Sequence, residues 1–221
     1  MPGFGKTPTL PGVKSIASLA DAVAGFMHSN HLIGADAAGS SMGGRIVLEL
    51  ARRGGIVGGV VALDPGGFWQ GWERHAFFST AFLSIRLLRL LRPALPYIAA
   101  HAPLRTLLLW PLSFRPWKLQ ADMVREELLG YVSSASFDEM LHELAFGEQR
   151  GAPLHSIAHP LTIGWGRQDR MCFPYQAKRA LELFPDARLH WFESCGHFPH
   201  WDKPDEATRL ILDATATGNR H

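Results

Sequence analysis

Three short motifs hold residue types that do nucleophilic chemistry when they meet. Gly39-Ser40-Ser41-Met42-Gly43-Gly44 is a G-x-S-x-G lying between a small-residue stretch and a helical period. A serine on a tight strand-to-helix turn is lifted clear of a sheet, and flanking glycines tolerate the crowded backbone such a turn imposes. The same turn aims the start of the following helix, including the Met42 N–H, at the point where a carbonyl oxygen becomes an oxyanion. A serine needs a base, and the base needs an orienting carboxylate. Downstream and in that order, Ile163 to Asp169 (IGWGRQD) puts an acid in the loop after one apolar run. Glu193 to Pro199 (ESCGHFP) then puts a histidine in the loop after the next. A glycine-rich packing turn would explain the first motif alone; the ordered trio of Ser41, Asp169 and His197 favours chemistry.

The elements that must position these residues follow from periodicity. Ser15 to Leu32 has apolar residues at helical spacing and Gly34 placed to end it. Ala35 to Ser40 reads as a strand, Gly43 to Arg53 as a helix, and Gly58 to Asp64 as a buried parallel strand. The alternation returns at Leu161–Trp165 (strand), Pro174–Phe184 (helix), Ala187–Phe192 (strand) and Pro204–Thr215 (helix). This predicts an α/β fold, a parallel sheet covered by helices, with the three candidate residues at the carboxyl ends of strands, where open sheets build their sites. Residues 66–159, rich in proline, arginine and aromatics, lack strand-like alternation and read as a helical insertion; 1–65 and 160–221 form the core.

On PGFG at the start, SSMGG, LDPGG, GRQD and GHFP, the chain resembles the α/β-hydrolase superfamily from end to end, most weakly in the insertion. The resemblance implies a mostly parallel sheet and a helical cap over residues 66–159. It implies Ser41 as nucleophile, His197 as general base and then acid, Asp169 as the carboxylate on the histidine, and the Met42 N–H as an oxyanion donor. It implies a hydrolase acting on an ester or related acyl bond; C–C or amide cleavage and acyl transfer are chemistries of the same triad. A rival acid is Asp64, since some members carry the carboxylate after the strand that follows the nucleophile; Asp169 fits the commoner pattern. Serine at position 41 disfavours epoxide opening and dehalogenation, whose enzymes use aspartate there. Family members begin with further strands, and a loop among these supplies a second oxyanion N–H. The expectation is therefore that Met1 is internal to a longer natural protein. Without those strands the Ser41 strand becomes a sheet edge, open to a second copy of the chain, and a non-catalytic binding module is the reading from a different class.

The cap as a roof suggests Phe68, Trp69 and Trp72 as pocket lining, because they leave directly from the strand end beside Ser41; an aromatic roof suits a small apolar acyl or ester substrate. Arg86, Arg89 and Arg92 read as a solvated helix face. Asp202 reads as a cap for the helix at Pro204, and His200 as a surface residue beside the site. Several motifs fail on context. Gly5-Lys6-Thr7 lacks the first glycine and the helix of a phosphate loop, and Pro8 and Pro11 deny one. His155 and His159 lack the glutamate of a zinc-protease helix, and Pro160 ends any helix. No cofactor or metal is called for.

Composition sets the outer limits. The 221 residues are 47% hydrophobic and 19% charged, which suits a globular chain and not a disordered one. With 22 Lys plus Arg against 20 Asp plus Glu, the balance of +2 does not suggest a nucleic-acid partner. The apolar stretch from Ala81 to Trp110 is broken by Arg86, Arg89, Arg92, Arg105, Pro93 and Pro96, which argues against a membrane span. Two cysteines, Cys172 and Cys195, exclude a disulfide scaffold and read as free thiols that suit a reducing compartment, so the expected compartment is the cytoplasm.

Overall fold

The computed structural model describes residues 1–221 apart from Lys6, Ala135 and 217–221, and apart from the side chains of Thr215 and Ala216. Four parallel strands, β1 (Ala37–Ser40), β2 (Val60–Leu63), β3 (Leu161–Gly166) and β4 (Arg188–Phe192), form a sheet in the order β1-β2-β3-β4. Every residue of β2 and β3 is buried, the result expected where helices cover both faces and the sequence is apolar without alternation. The register aligns Ser40 with Leu63 and Leu63 with Gly164, so the strands end together and hand their loops to one rim. β1 stands at an edge of the sheet and pairs with β2 alone among the described residues.

Helix α1 (Ile16–Ser29) starts at a capping box in which Ser15 and Ser18 satisfy each other's backbone N–H. It ends at Ser29, short of the expected Leu32, because Asn30 returns its N–H to Phe26 and His28 and closes the last turn. Gly34 instead turns the chain into β1 at φ +85°, its N–H bonded to Ile56 O. α2 (Met42–Arg53) crosses from β1 to β2 and packs with α1, burying Ile46, Leu48 and Leu50 in the principal core. Burial of side chains of this size contributes about 1.5–3 kcal/mol each.

Between β2 and β3 the chain forms α3 (Trp72–Leu90), α4 (Leu95–Ala100), α5 (Ala102–Leu109), α6 (Ala121–Ser133) and α7 (Phe137–Phe146), with short 3-10 turns at 92–94 and 116–118. Their side chains make a second core, in which Leu95, Leu109, Val124 and Leu128 close on Phe198 and Trp201 from the segment after β4. The insertion is thus anchored on the segment that carries His197. α8 (Gln176–Leu183), a four-residue helix α9 (Pro199–Asp202) and α10 (Pro204–Ala216) complete the chain. Among the described residues no helix is long and apolar enough to cross a membrane.

Candidate active site

Ser41 sits at φ +54°, ψ −114°, between the end of β1 and the first residue of α2. This is a backbone that L-residues rarely adopt, and it is held by a Ser41 N–H bond to Leu63 O at 2.9 Å and a Gly66 N–H bond to Ser41 O at 3.3 Å. The glycines of the motif do different jobs. A Cβ on Gly39 would lie 2.3 Å from Gly43 O, so only glycine lets α2 start this close to β1. A Cβ on Gly43 meets nothing within 4 Å, whereas one on Gly44 would press on Pro65 at 3.0 Å.

The three residues singled out by spacing are brought into one line. His197 Nε2 lies 2.9 Å from Ser41 Oγ, and His197 Nδ1 lies 2.8 Å from Asp169 Oδ2. The other carboxylate oxygen of Asp169 accepts the N–H groups of Met171 at 2.7 Å and Cys172 at 3.0 Å, which fixes the carboxylate in place. His197 and Asp169 are 3% exposed, a dry setting in which such contacts are strongest. Two glycines permit the convergence: a Cβ on Gly166 would strike Gly196 O at 2.1 Å, and one on Gly196 would meet Leu112 O at 2.9 Å. Gln168 and Cys195 lock the two loops together, Gln168 N–H to Cys195 O at 2.9 Å and Cys195 N–H to Gln168 Oε1 at 2.8 Å.

Ser41, Met42 and His197 open onto a cavity of about 900 Å³. Its walls come mainly from the inserted helices, among them Ile85, Leu88, Leu91, Leu108, Leu128 and Met140. Among the described residues no lysine or arginine lines it, and Glu126 and Glu127 are its only acidic residues. Burial, with Glu126 beside it, pushes the Glu127 carboxyl up.

The expected aromatic lining is corrected. Phe68 is buried in the main core with its ring 6.1 Å from Trp165. Trp69 is buried too, stacked on Phe77 at 3.9 Å with its indole N–H on Met171 O, and Trp72 is 68% exposed. None of the three lines the cavity; Phe77, five residues after Trp72, does. The cause is a polar anchor that draws this segment toward α8: Arg179 bonds Phe68 O and the Glu73 carboxylate, which also accepts from Tyr175 and Gln176. Burial opposes the Glu73 charge, but Arg179, the Gln70 N–H and the Tyr175 hydroxyl hold its pKa down at about 2.

Other expectations are redrawn. Asp202 does not serve Pro204; Oδ1 accepts the Ser113 hydroxyl at 2.6 Å, and Oδ2 accepts the N–H groups of Phe114 and Gly196, both at 2.7 Å. Arg86 and Arg89 are turned to Asp138 on α7 and are not simply solvated. Cys172 and Cys195 are free and fully buried. Asp169, Cys172 and His197 bring donor atoms within 4.8 Å of one another. Both Asp169 oxygens are already engaged by N–H groups, and burial next to Asp169 and Asp64 raises the Cys172 thiol well above its ordinary value, so this is a poor metal set. Sequence reasoning missed Arg45, fully buried on α2, whose guanidinium bonds Gln149 Oε1 and the carbonyls of Glu143, Leu144, Gly147 and Glu148 at the end of α7. Burial lowers its pKa to about 10.

Comparison with known proteins bears on the family and the fold. Residues 1–209 match the model of the alpha/beta hydrolase family. A 63-residue stretch is 38% identical to 2-hydroxy-6-oxononadienedioate/2-hydroxy-6-oxononatrienedioate hydrolase 2 of Pseudomonas putida, covering 28% of this chain and 22% of that relative's length. A lipase-like crystal structure from Acinetobacter baumannii AYE superposes with TM-score 0.71 at 18% identity, covering 98% of this chain and 74% of the other. A meta-cleavage product hydrolase from Pseudomonas fluorescens IP01 gives TM-score 0.70 at 19% identity, covering 99% and 78%. The family match runs through the strands and loops that carry Ser41, Asp169 and His197, and on it the chain belongs to the alpha/beta hydrolase family.

Proposed function

We propose that the protein is a serine hydrolase that cleaves a neutral carboxylic ester with an apolar acyl chain. The supporting observation is a largely apolar cavity of about 900 Å³, lined by no lysine or arginine among the described residues, that ends on a Ser41–His197–Asp169 relay. In this reading Ser41 Oγ attacks the acyl carbon while His197 Nε2 takes its proton. Asp169 holds the imidazole as the Nδ1–H tautomer, which leaves Nε2 free to accept, and balances the imidazolium. The oxyanion is met by the N–H of Met42 at the positive end of α2. His197 protonates the leaving alcohol, and then activates water on the acyl-enzyme. A cavity of this volume takes a longer chain than the small acyl group first expected. Residues 66–159 act as the cap that selects it.

A second reading, C–C hydrolysis, is favoured by the matched stretch in the Pseudomonas putida relative. The dienedioate in that name carries two carboxylates, and among the described residues no lysine or arginine of the cavity wall stands ready to meet them. A series of p-nitrophenyl esters of rising acyl length, a phenyl dienoate and a fluorophosphonate probe decide the matter. Labelling lost in Ser41→Ala, with kcat/KM rising beyond the acetyl ester, supports the ester reading; dienoate turnover without ester turnover supports the second. Absence of labelling in folded protein refutes both.

A further inference from the structure

The rival acid of the sequence, Asp64, has no task in the mechanism above, yet it is wholly buried directly behind Asp169. Its backbone is held at φ +41°, a costly conformation for a non-glycine residue, by a 2.8 Å bond from its N–H to Gly164 O. One carboxyl oxygen, Oδ1, accepts the Gly166 N–H at 2.8 Å. The other, Oδ2, meets no donor at all among the described residues, although it is shut off from solvent.

The groups around it decide what that oxygen must be. The loop after β3 sets the Asp169 carboxyl beside it, together with the Cys172 thiol. The loop after β4 presents Cys195, with His197 beyond it on the far side of Asp169, and α9 presents Asp202. From α2 the nearest cation is Arg45, whose guanidinium is turned to Gln149 and the carbonyls ending α7. Among the described residues the acidic partners thus have no free cation between them, and two neighbouring carboxyls in a dry site do not both ionise. Asp169 receives three N–H donors and Asp64 one, so the charge resides on Asp169. Burial, reinforced by Asp169, raises the Asp64 carboxyl well above the ordinary carboxylate range.

We propose that Asp64 is a neutral carboxylic acid whose Oδ2–H donates to Asp169, making it a positioning residue that holds the carboxylate square to His197. A buried orphan acceptor becomes a donor, and Asp169 gains a fourth hydrogen bond. The proton stays on Asp64 throughout turnover. The kinetic consequence rests on the serine-hydrolase reading; the protonation itself does not.

The test separates the two. In the full chain labelled with 13C at the aspartate Cγ, one resonance at pH 7 is expected at the carboxylic-acid position and is absent from Asp64→Asn. An Asp64 resonance at the carboxylate position overturns the proposal, whatever the activity. Kinetically, Asp64→Ala is expected to lower kcat by about ten- to a hundredfold, the size of one lost bond to a charged group. Asp64→Asn, whose amide can still donate to Asp169 and accept from Gly166, is expected to recover most of that, with the acid limb of the kcat/KM profile in place. A displacement of that limb to lower pH in Asp64→Asn, or a loss as deep as in Asp169→Asn, would mean that Asp64 is ionised and would overturn it. If Asp64→Ala does not fold, the resonance and the Asp64→Asn profile still decide. Failure of the hydrolase reading shows differently: no Ser41-dependent turnover, with the acid resonance present.

Discussion

The hydroxyl of Ser113 donates to Oδ1 of Asp202 at 2.6 Å, joining the inserted helices to the segment that follows His197. The second oxygen of the same carboxylate takes the N–H groups of Phe114 and Gly196, and the His197 N–H itself bonds Leu112 O at 2.9 Å. The insertion is therefore not hung loosely on the sheet. It is stitched to the backbone of the residue next to the histidine, so the roof of the cavity and the general base are positioned by one cluster.

Removal of that carboxylate should be felt in both places. Asp202→Ala leaves the buried N–H groups of Phe114 and Gly196 without an acceptor, each costing about 1–3 kcal/mol. The expected result is a fall in thermal midpoint of roughly 5–15 °C for a chain of this size, accompanied by a lower kcat as His197 loses its seat. Asp202→Asn, which still offers one acceptor, should lose less. A calorimetric scan and esterase kinetics check this; a midpoint unchanged in Asp202→Ala would refute it.

The nucleophile turn gives a contrast within one motif. In Gly39→Ala the added methyl would meet Gly43 O at 2.3 Å and the Gly43 carbonyl carbon at 2.4 Å, so the start of α2 must move and the Ser41 conformation with it. Loss of fluorophosphonate labelling and a drop of several degrees in midpoint are expected. Gly43→Ala adds a methyl with nothing within 4 Å, and its midpoint should stay within about 2 °C of the parent. Equal midpoints for the two variants would show that the close approach at Gly39 is not what holds the turn.

Glu73 predicts a pH dependence of stability. Its pKa is lowered from 4.5 to about 2 in the folded protein, so the unfolded chain takes up this proton first as pH falls. The stabilisation is full above about pH 4.5, is lost progressively toward pH 2, and amounts to at most roughly 3 kcal/mol. Urea unfolding at pH 7 and pH 3 should show Glu73→Gln less stable than the parent at pH 7, with the difference narrowing at pH 3. A difference that does not narrow would remove the Glu73 charge from the explanation.

The periodicities of 35–64 and 161–216, together with G-x-S-x-G, GRQD and GHFP, were enough to place the parallel sheet and to name Ser41, Asp169 and His197. Strand ends in such a sheet share a rim, so residues just beyond them need little further information to meet. The insertion was legible as helices and opaque as a surface. Which of its faces looks into the cavity depended on polar anchors between residues distant in sequence: Arg179 on Glu73 and Phe68 O, which took Phe68, Trp69 and Trp72 away from the site; Arg45 on the end of α7; and Asp202 on Ser113 and Phe114. Local spacing carries no trace of such pairs, because each partner alone looks like an ordinary surface charge. Short-range pattern in the chain was thus sufficient for the sheet and its candidate catalytic line. The leucine-rich wall of the cavity and the burial of Asp64 behind Asp169 arise only in the folded molecule, because both depend on which long-range polar contacts close around them.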